Sequence, residues 1–324
     1  MTDEQGLIGA YALDGQGGGK PLRWDEIERE LPQGATLWAH LDRSCKRSIA
    51  WLRNATGLDP IVCDALLAEE TRPRAEVIGQ GLLVILRGIN LNPGAEPDDM
   101  VSLRIWADER RFISLRHRKV VAIQDVRDSV ERGAGPNRSG SLLVRIASGL
   151  IDRMQDAIDA LEDELADMEE RVAAGQYSDM RHAIADLRRR AIAFRRYIAP
   201  QREAMTRLLT ASVSWLTERD RARLREDADR LTRYVEELDA ARERAVVMHE
   251  EILARATEQM NRAMYILSLV AGIFLPLGLI TGLLGINVGG IPGVDSPLGF
   301  AIVCAVLLLI ALLELWIFRR FRWL

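Results

Sequence analysis

Met264–Leu284, MYILSLVAGIFLPLGLITGLL, and Leu298–Phe318, LGFAIVCAVLLLIALLELWIF, decide how this chain is read. Each stretch, at roughly 20 residues, is long enough to cross a hydrocarbon core about 30 Å thick. A single charged residue, Glu314, interrupts them. The sequence therefore predicts a large water-facing body followed by a short membrane hairpin at the C-terminus.

The charges around the hairpin predict its orientation. Arg255 and Arg262 precede the first span, Arg319, Arg320 and Arg322 follow the second, and the connecting segment Gly285–Pro297 holds neither Lys nor Arg. Positive charge is retained on the cytoplasmic side, so both ends of the hairpin are expected inside and the loop outside. The N-terminus, Met-Thr-Asp-Glu-Gln, has neither a basic start nor an apolar run, which predicts no cleaved signal peptide and a cytosolic body.

Composition excludes several classes. A net charge of −4, with 28% of the 324 residues charged, argues against a nucleic-acid partner. Cys45, Cys63 and Cys304 are too far apart for a disulfide framework or a thiolate metal site. His40, His117, His182 and His249 are scattered without His-x-x-x-His spacing, so no closed tetrahedral zinc site can be drawn within one chain. Gly15-Gln16-Gly17-Gly18-Gly19 lacks the Lys-Ser/Thr that would open a phosphate-binding helix, and reads as a flexible turn. With no nucleophile and base set, and no cofactor motif, the chain is not read as an enzyme.

Short apolar runs predict strands at Thr36–Leu41, Glu76–Ile78, Leu82–Arg87, Val101–Ala107 and Arg111–Leu115, with helices at Ser48–Thr56 and Asp59–Ala68 between them. Residues 1–140 thus read as a cytosolic α/β domain with a mixed sheet. From Ser141 the pattern is helical: Ala147, Leu150, Met154, Ile158, Leu161, Leu165, Met168 and Val172 recur three and four apart until Gly175. That helix is acidic, and the next, from Ser178, is basic, which predicts antiparallel long helices over 141–216. A third helix from Thr217 contains no Pro or Gly before Gly272, so 217–263 reads as a stalk leading into the membrane segment 264–324. Its broken seam of Leu224, Leu231, Val235, Leu238, Ala245, Ile252 and Ala256 is expected to help assemble several copies.

Assembly is required if anything is transported, because two spans cannot enclose a path. Met264, Ser268, Ala271, Leu275, Gly278, Gly282 and Gly285 form one lean stripe of the first span. Such a face either lets helices approach closely or leaves a lumen open. Pro276 lies within the same span and is expected to bend or loosen it. Beyond it, Gly285-Ile286-Asn287 lets the chain leave helical geometry where carbonyls carry partial negative charge, and Asn287 adds amide oxygens. Converging copies would make a cation-attracting ring, although Gly-x-Asn also serves as an ordinary helix cap.

Two C-terminal spans, a long stalk, the outer Gly-x-Asn and the tail Arg319-Arg320-Phe321-Arg322-Trp323-Leu324 together resemble the CorA-type divalent metal transporters over essentially the whole chain. That family's signature has Met at the middle position, where this chain has Ile286. The substitution, the run Gly-Ile-Asn-Val-Gly-Gly-Ile-Pro-Gly at 285–293 and Tyr197-Ile198-Ala199-Pro200-Gln201-Arg202 resemble the zinc-transporting ZntB branch. The resemblance implies an α+β chain in a funnel-shaped homopentamer of a bacterial inner membrane, with the first span lining the pore and the second outside it. It also implies proton-coupled zinc uptake, with zinc as cargo rather than cofactor, and Gly285, Ile286 and Asn287 at the outer entrance.

Other candidates have a plainer reading beside the functional one. Asp295, alone in the outer loop, either concentrates cations or is a solvated turn residue. Glu314 is placed where it can snorkel or pair with Arg319, or act within the membrane. His249 and Glu250 on the stalk, and Asn261 near the inner mouth, suit metal or proton binding but equally a solvated helix face. A magnesium or cobalt channel of the same family, and a membrane-anchored sensor or scaffold, remain the alternatives.

Overall fold

The computed structural model describes residues 6–28, 34–177, 179–286 and 296–320. The chain divides into two units, Met1–His249 and Glu250–Leu324. The first begins with β1 (Leu7–Leu13), β2 (Gly19–Pro21), α1 (Trp24–Ile27), β3 (Thr36–Asp42), α2 (Lys46–Asn54) and α3 (Pro60–Leu67). It continues with β4 (Arg74–Ile78), β5 (Gly81–Gly88), β6 (Val101–Ala107), β7 (Arg111–Arg116) and α4 (Val121–Glu131). The five expected strands and both expected helices are present; β1, β2, α1 and α4 are additions that the apolar pattern did not reveal.

The strands form one mixed sheet in the order β2-β1-β3-β7-β6-β5-β4. β3 and β7 are parallel, with Trp38 opposite Phe112, and their neighbours join antiparallel. β5 is buried at every position except Arg87 instead of alternating, because helices cover both faces of the sheet. One face, with Leu37, Ala39, Leu41, Leu83, Ile113 and Leu115, packs with Trp51 and Leu52 of α2 and Val62 and Leu66 of α3. On the other, Trp38 Nε1 donates to Ser114 Oγ at 3.2 Å, and His40 Nδ1 lies 2.9 Å from the same hydroxyl. Burial, with the charges of Arg116 and Arg127, lowers the His40 pKa to about 3, so this histidine is a neutral core residue.

Three long helices complete the chain's first unit and lead out of it: α5 (Ser139–Ala173), α6 (Met180–Leu209) and α7 (Glu218–Leu284). The α5 stripe predicted from Ala147 to Val172 is buried throughout. Gly175, at φ +78°, ends it: Gln176 N–H bonds Arg171 C=O at 2.9 Å and Gly175 N–H bonds Val172 C=O at 3.0 Å. Glu164 of the acidic α5 then meets Arg190 of the basic α6. Ser178, where the basic helix was expected to start, lies outside the described residues, and α6 opens at Met180.

The seam of α7 has a different destination from the one expected. Leu224, Leu231, Val235, Leu238 and Ala245 are at most 5% exposed within the single chain. Ser148 Oγ donates to Asp227 at 2.7 Å, Arg244 Nε donates to Glu169 at 2.7 Å, and Arg195 pairs with Asp239 at 2.6 Å, so α5 and α6 hold this segment. The seam is spent on the chain's own core, and of its expected members Ala256 stays exposed.

The Tyr197–Arg202 motif docks α6 on the sheet. Gln201, fully buried inside the helix, accepts the Arg87 backbone N–H of β5 at 2.6 Å. The Arg87 guanidinium lies 4.5 Å from the Tyr197 ring centre.

Candidate functional site

The second unit holds the end of α7 and α8 (Gly299–Arg320). Both helices are long and apolar enough to cross a membrane, and their most apolar windows lie uncovered in the single chain. Where they meet is legible residue by residue. On α7 the half-buried positions are Leu269, Gly272, Ile273, Pro276, Leu277 and Ile280, recurring at the three and four spacing of one helix face. On α8 they are Gly299, Val303, Leu307, Ile310, Ala311 and Glu314, with Phe318 buried. A Cβ at Gly272 would come 3.1 Å from Phe318 Cζ, so Gly272 admits the ring.

The lean stripe faces elsewhere. Met264, Ser268, Ala271, Leu275, Gly278 and Gly282 are all exposed, and they centre roughly 150° around α7 from the α8 contact at 3.6 residues per turn. A Cβ at Gly278 or at Gly282 would meet nothing within 4 Å. Packing inside the hairpin therefore does not use these glycines; it uses Gly272, which the stripe omits.

Pro276 sits within continuous helix, where it has no N–H to give the Gly272 carbonyl. Four residues from the end, Thr281 Oγ1 donates to the carbonyls of Leu277 at 2.9 Å and Gly278 at 3.2 Å. At the end itself, Gly285 N–H bonds Gly282 C=O at 3.2 Å, and a Cβ on Gly285 would lie 3.0 Å from the Thr281 oxygen. Ile286 is 51% exposed. Asn287 and Asp295 lie outside the described residues.

Other expected positions are not brought together within one chain. His249 is half-buried in the first unit, and Glu250 and Asn261 are exposed in the second. Among the described residues no three His, Cys, Asp or Glu side chains cluster to hold a metal. Glu314 does not pair with Arg319 among the described residues; it lies on the α8 face turned toward α7, with Oε2 buried and without a hydrogen-bond partner. Its spacing of three and four from Ala311, Ile310 and Phe318 was the sequence signal for that placement.

The sequence profile described as "CorA-like Mg2+ transporter protein" matches residues 33–320. The chain belongs to the CorA family. Family membership makes it a divalent cation transporter rather than an enzyme, with the cation as substrate. The chain is 46% identical to the "Divalent cation transporter CmaX" of Pseudomonas aeruginosa, over 99% of this chain and 98% of that protein. It is 40% identical to the "Zinc transport protein ZntB" of Pectobacterium carotovorum, over 98% of this chain and 96% of the relative. The solved structure of full-length CmaX superposes with a TM-score of 0.87 at 45% identity, covering 99% of each chain. The CorA architecture of an N-terminal α/β body, a long helix and two apolar C-terminal helices is thus the architecture of this chain.

Proposed function

We propose that this CorA-family chain takes zinc up across the inner membrane of a bacterium, as a homopentamer and in step with protons. The observation that carries the reading is the free stripe of α7: the hairpin packs through Gly272 and Phe318, while Gly278 and Gly282 face open space. A small, unoccupied face on an apolar helix suits a lumen shared among copies, with α8 outside it. Five copies would turn Met264, Ser268, Ala271, Leu275, Gly278 and Gly282 toward one path.

At the outer mouth, Gly285 carbonyls, Asn287 amides and the negative ends of α7 would gather a hydrated cation. Neutral oxygen donors hold a divalent ion loosely enough to release it, and Asp295 would add charge at the rim. The Arg pattern on either side of the hairpin supports cytoplasmic N- and C-termini. His249, Glu250 and Asn261 would act on the cation or proton only as rings built between copies.

Zinc is favoured by Ile286 in place of the family's Met and by relatives named for zinc transport. The family's own description, which names Mg2+, favours magnesium as the second reading. Purified protein in liposomes, with zinc and magnesium entry followed with and without an inward proton gradient, separates them. Zinc entry accelerated by the gradient and weakened by Asn287→Ala is expected. Gradient-independent flux removes proton coupling, magnesium entry without zinc entry removes the zinc assignment, and undiminished flux in Asn287→Ala removes that residue.

A further inference from the structure

We infer that the soluble unit carries an oxyanion-binding cavity at the start of α5. The cavity, about 530 Å³, is lined by Arg110, Asn137, Arg138, Ser139, Ser214 and Thr217. It lies where the first turn of α5 approaches the segment that enters α7.

α5 is 35 residues long, and its N-cap is Arg138, whose side chain makes no cap hydrogen bond. A guanidinium has no acceptor to offer the first-turn N–H groups, so the Arg138 side chain leaves them uncapped, and the anion beside that turn is the Asp220 carboxylate. α3 is the contrast, since its cap Asp59 accepts the Ile61 N–H at 2.8 Å. Ser141 does not fill the gap: its hydroxyl accepts from the N–H groups of Asn137 and Arg138, both at 3.2 Å, which precede the helix.

The independent observation is Ser139. It lines the cavity, is 1% exposed, and its Oγ has no hydrogen-bond partner. A buried hydroxyl left unpaired costs about 1–3 kcal/mol, which an acceptor at this position recovers. Arg110 stands at the opening, exposed and without an ion pair among the described residues.

The wall itself is rigid. Arg138 donates to both Asp220 oxygens, at 2.6 and 3.0 Å, and to the Trp215 carbonyl at 3.3 Å. Hydrogen bonds from Arg138 and Thr217 hold the Asp220 carboxyl below its usual range despite burial, so it is committed to the wall. A Cβ on Gly140 would lie 2.5 Å from Arg138 Nη1 and 2.8 Å from Asp220 Oδ2, so the close approach needs glycine there. Glu109, also in the lining, is exposed and free to turn to solvent.

The groups left to face a ligand are therefore chiefly donors: the Ser139 hydroxyl, the Asn137 amide and the Arg110 guanidinium. That set fits a phosphate group, free or carried by a small metabolite. The test is calorimetric titration of full-length protein in detergent, without divalent cations and at constant ionic strength, with inorganic phosphate and separately with ADP. Saturable binding of one anion per chain is expected, weakened about tenfold by Ser139→Ala and by Arg110→Ala. Arg74→Ala, at the sheet edge, is expected to leave it unchanged. Tighter ADP binding assigns a nucleotide phosphate, and equal or weaker ADP binding assigns the free ion. Absence of saturable binding by both, or affinity undiminished in either variant, overturns the site.

Discussion

At the scale of single residues, Gly272 and Gly282 look alike in the sequence and differ in what surrounds them. A side chain at Gly272 meets Phe318, whereas one at Gly282 meets nothing in its own chain. Gly272→Leu should therefore strain the hairpin, at about 1–3 kcal/mol for an overpacked contact, and lower the melting temperature in detergent. Gly282→Leu should leave intrachain packing intact and cut cation flux at least tenfold; equal thermal stability with unequal flux is the expected pattern. Asp227 supports a separate prediction, about pH. Burial raises its pKa to about 6, outweighing the hydrogen bond from Ser148 and the Arg230 charge. The native state thus holds a proton that the unfolded chain releases near pH 4, and this residue's contribution to stability falls as pH rises from about 4 to about 6. Asp227→Asn removes that loss and should be more stable than wild type by roughly 2 kcal/mol at pH 7.5, less at pH 5, as read by thermal unfolding at the two values.

At the scale of elements, the α5–α6 turn and the docking of α6 decide whether the helical layer forms. Gly175 sits in the left-handed region at φ +78°, so Gly175→Val should cost about 1–3 kcal/mol. Gln201→Ala leaves the Arg87 N–H of a buried strand without its acceptor and should cost a similar amount; denaturant unfolding of each variant checks both. Long helices were readable because their signals are local: a stripe at three and four spacing, Gly175 as a stop, and no Pro or Gly from Thr217 to Gly272. β1 and α4 were not. β1 pairs with β3 through an irregular register between Leu7 and Gly9 and is only partly buried, which blurs its alternation. The α7 seam was visible, but not its partner, since a heptad pattern is the same whether it meets its own chain or another copy.

At the scale of the whole molecule, sequence spacing anticipated one face of the hairpin, the lean stripe of α7, and not the face that meets α8. The stripe was legible as one face of a helix, while its exclusion from the α8 contact depended on which glycine met Phe318. Asn287 and Asp295 rest on motif and charge. Two spans cannot enclose a path alone, so under the proposed function the mass of the detergent-extracted particle should correspond to a pentamer; a dimer would instead suit a tethered sensor whose glycines pack two helices.

Transport as proposed requires the exposed stripe of α7 to border water along a cation path. Cysteine accessibility in proteoliposomes tests it most directly, in a background with Cys45, Cys63 and Cys304 all replaced by Ala and with a water-soluble cationic thiol reagent. Gly278→Cys should react rapidly and lose cation flux, whereas Leu312→Cys, exposed on α8 away from α7, should neither react nor lose flux. A Gly278→Cys protein that stays unmodified with flux intact would contradict the account.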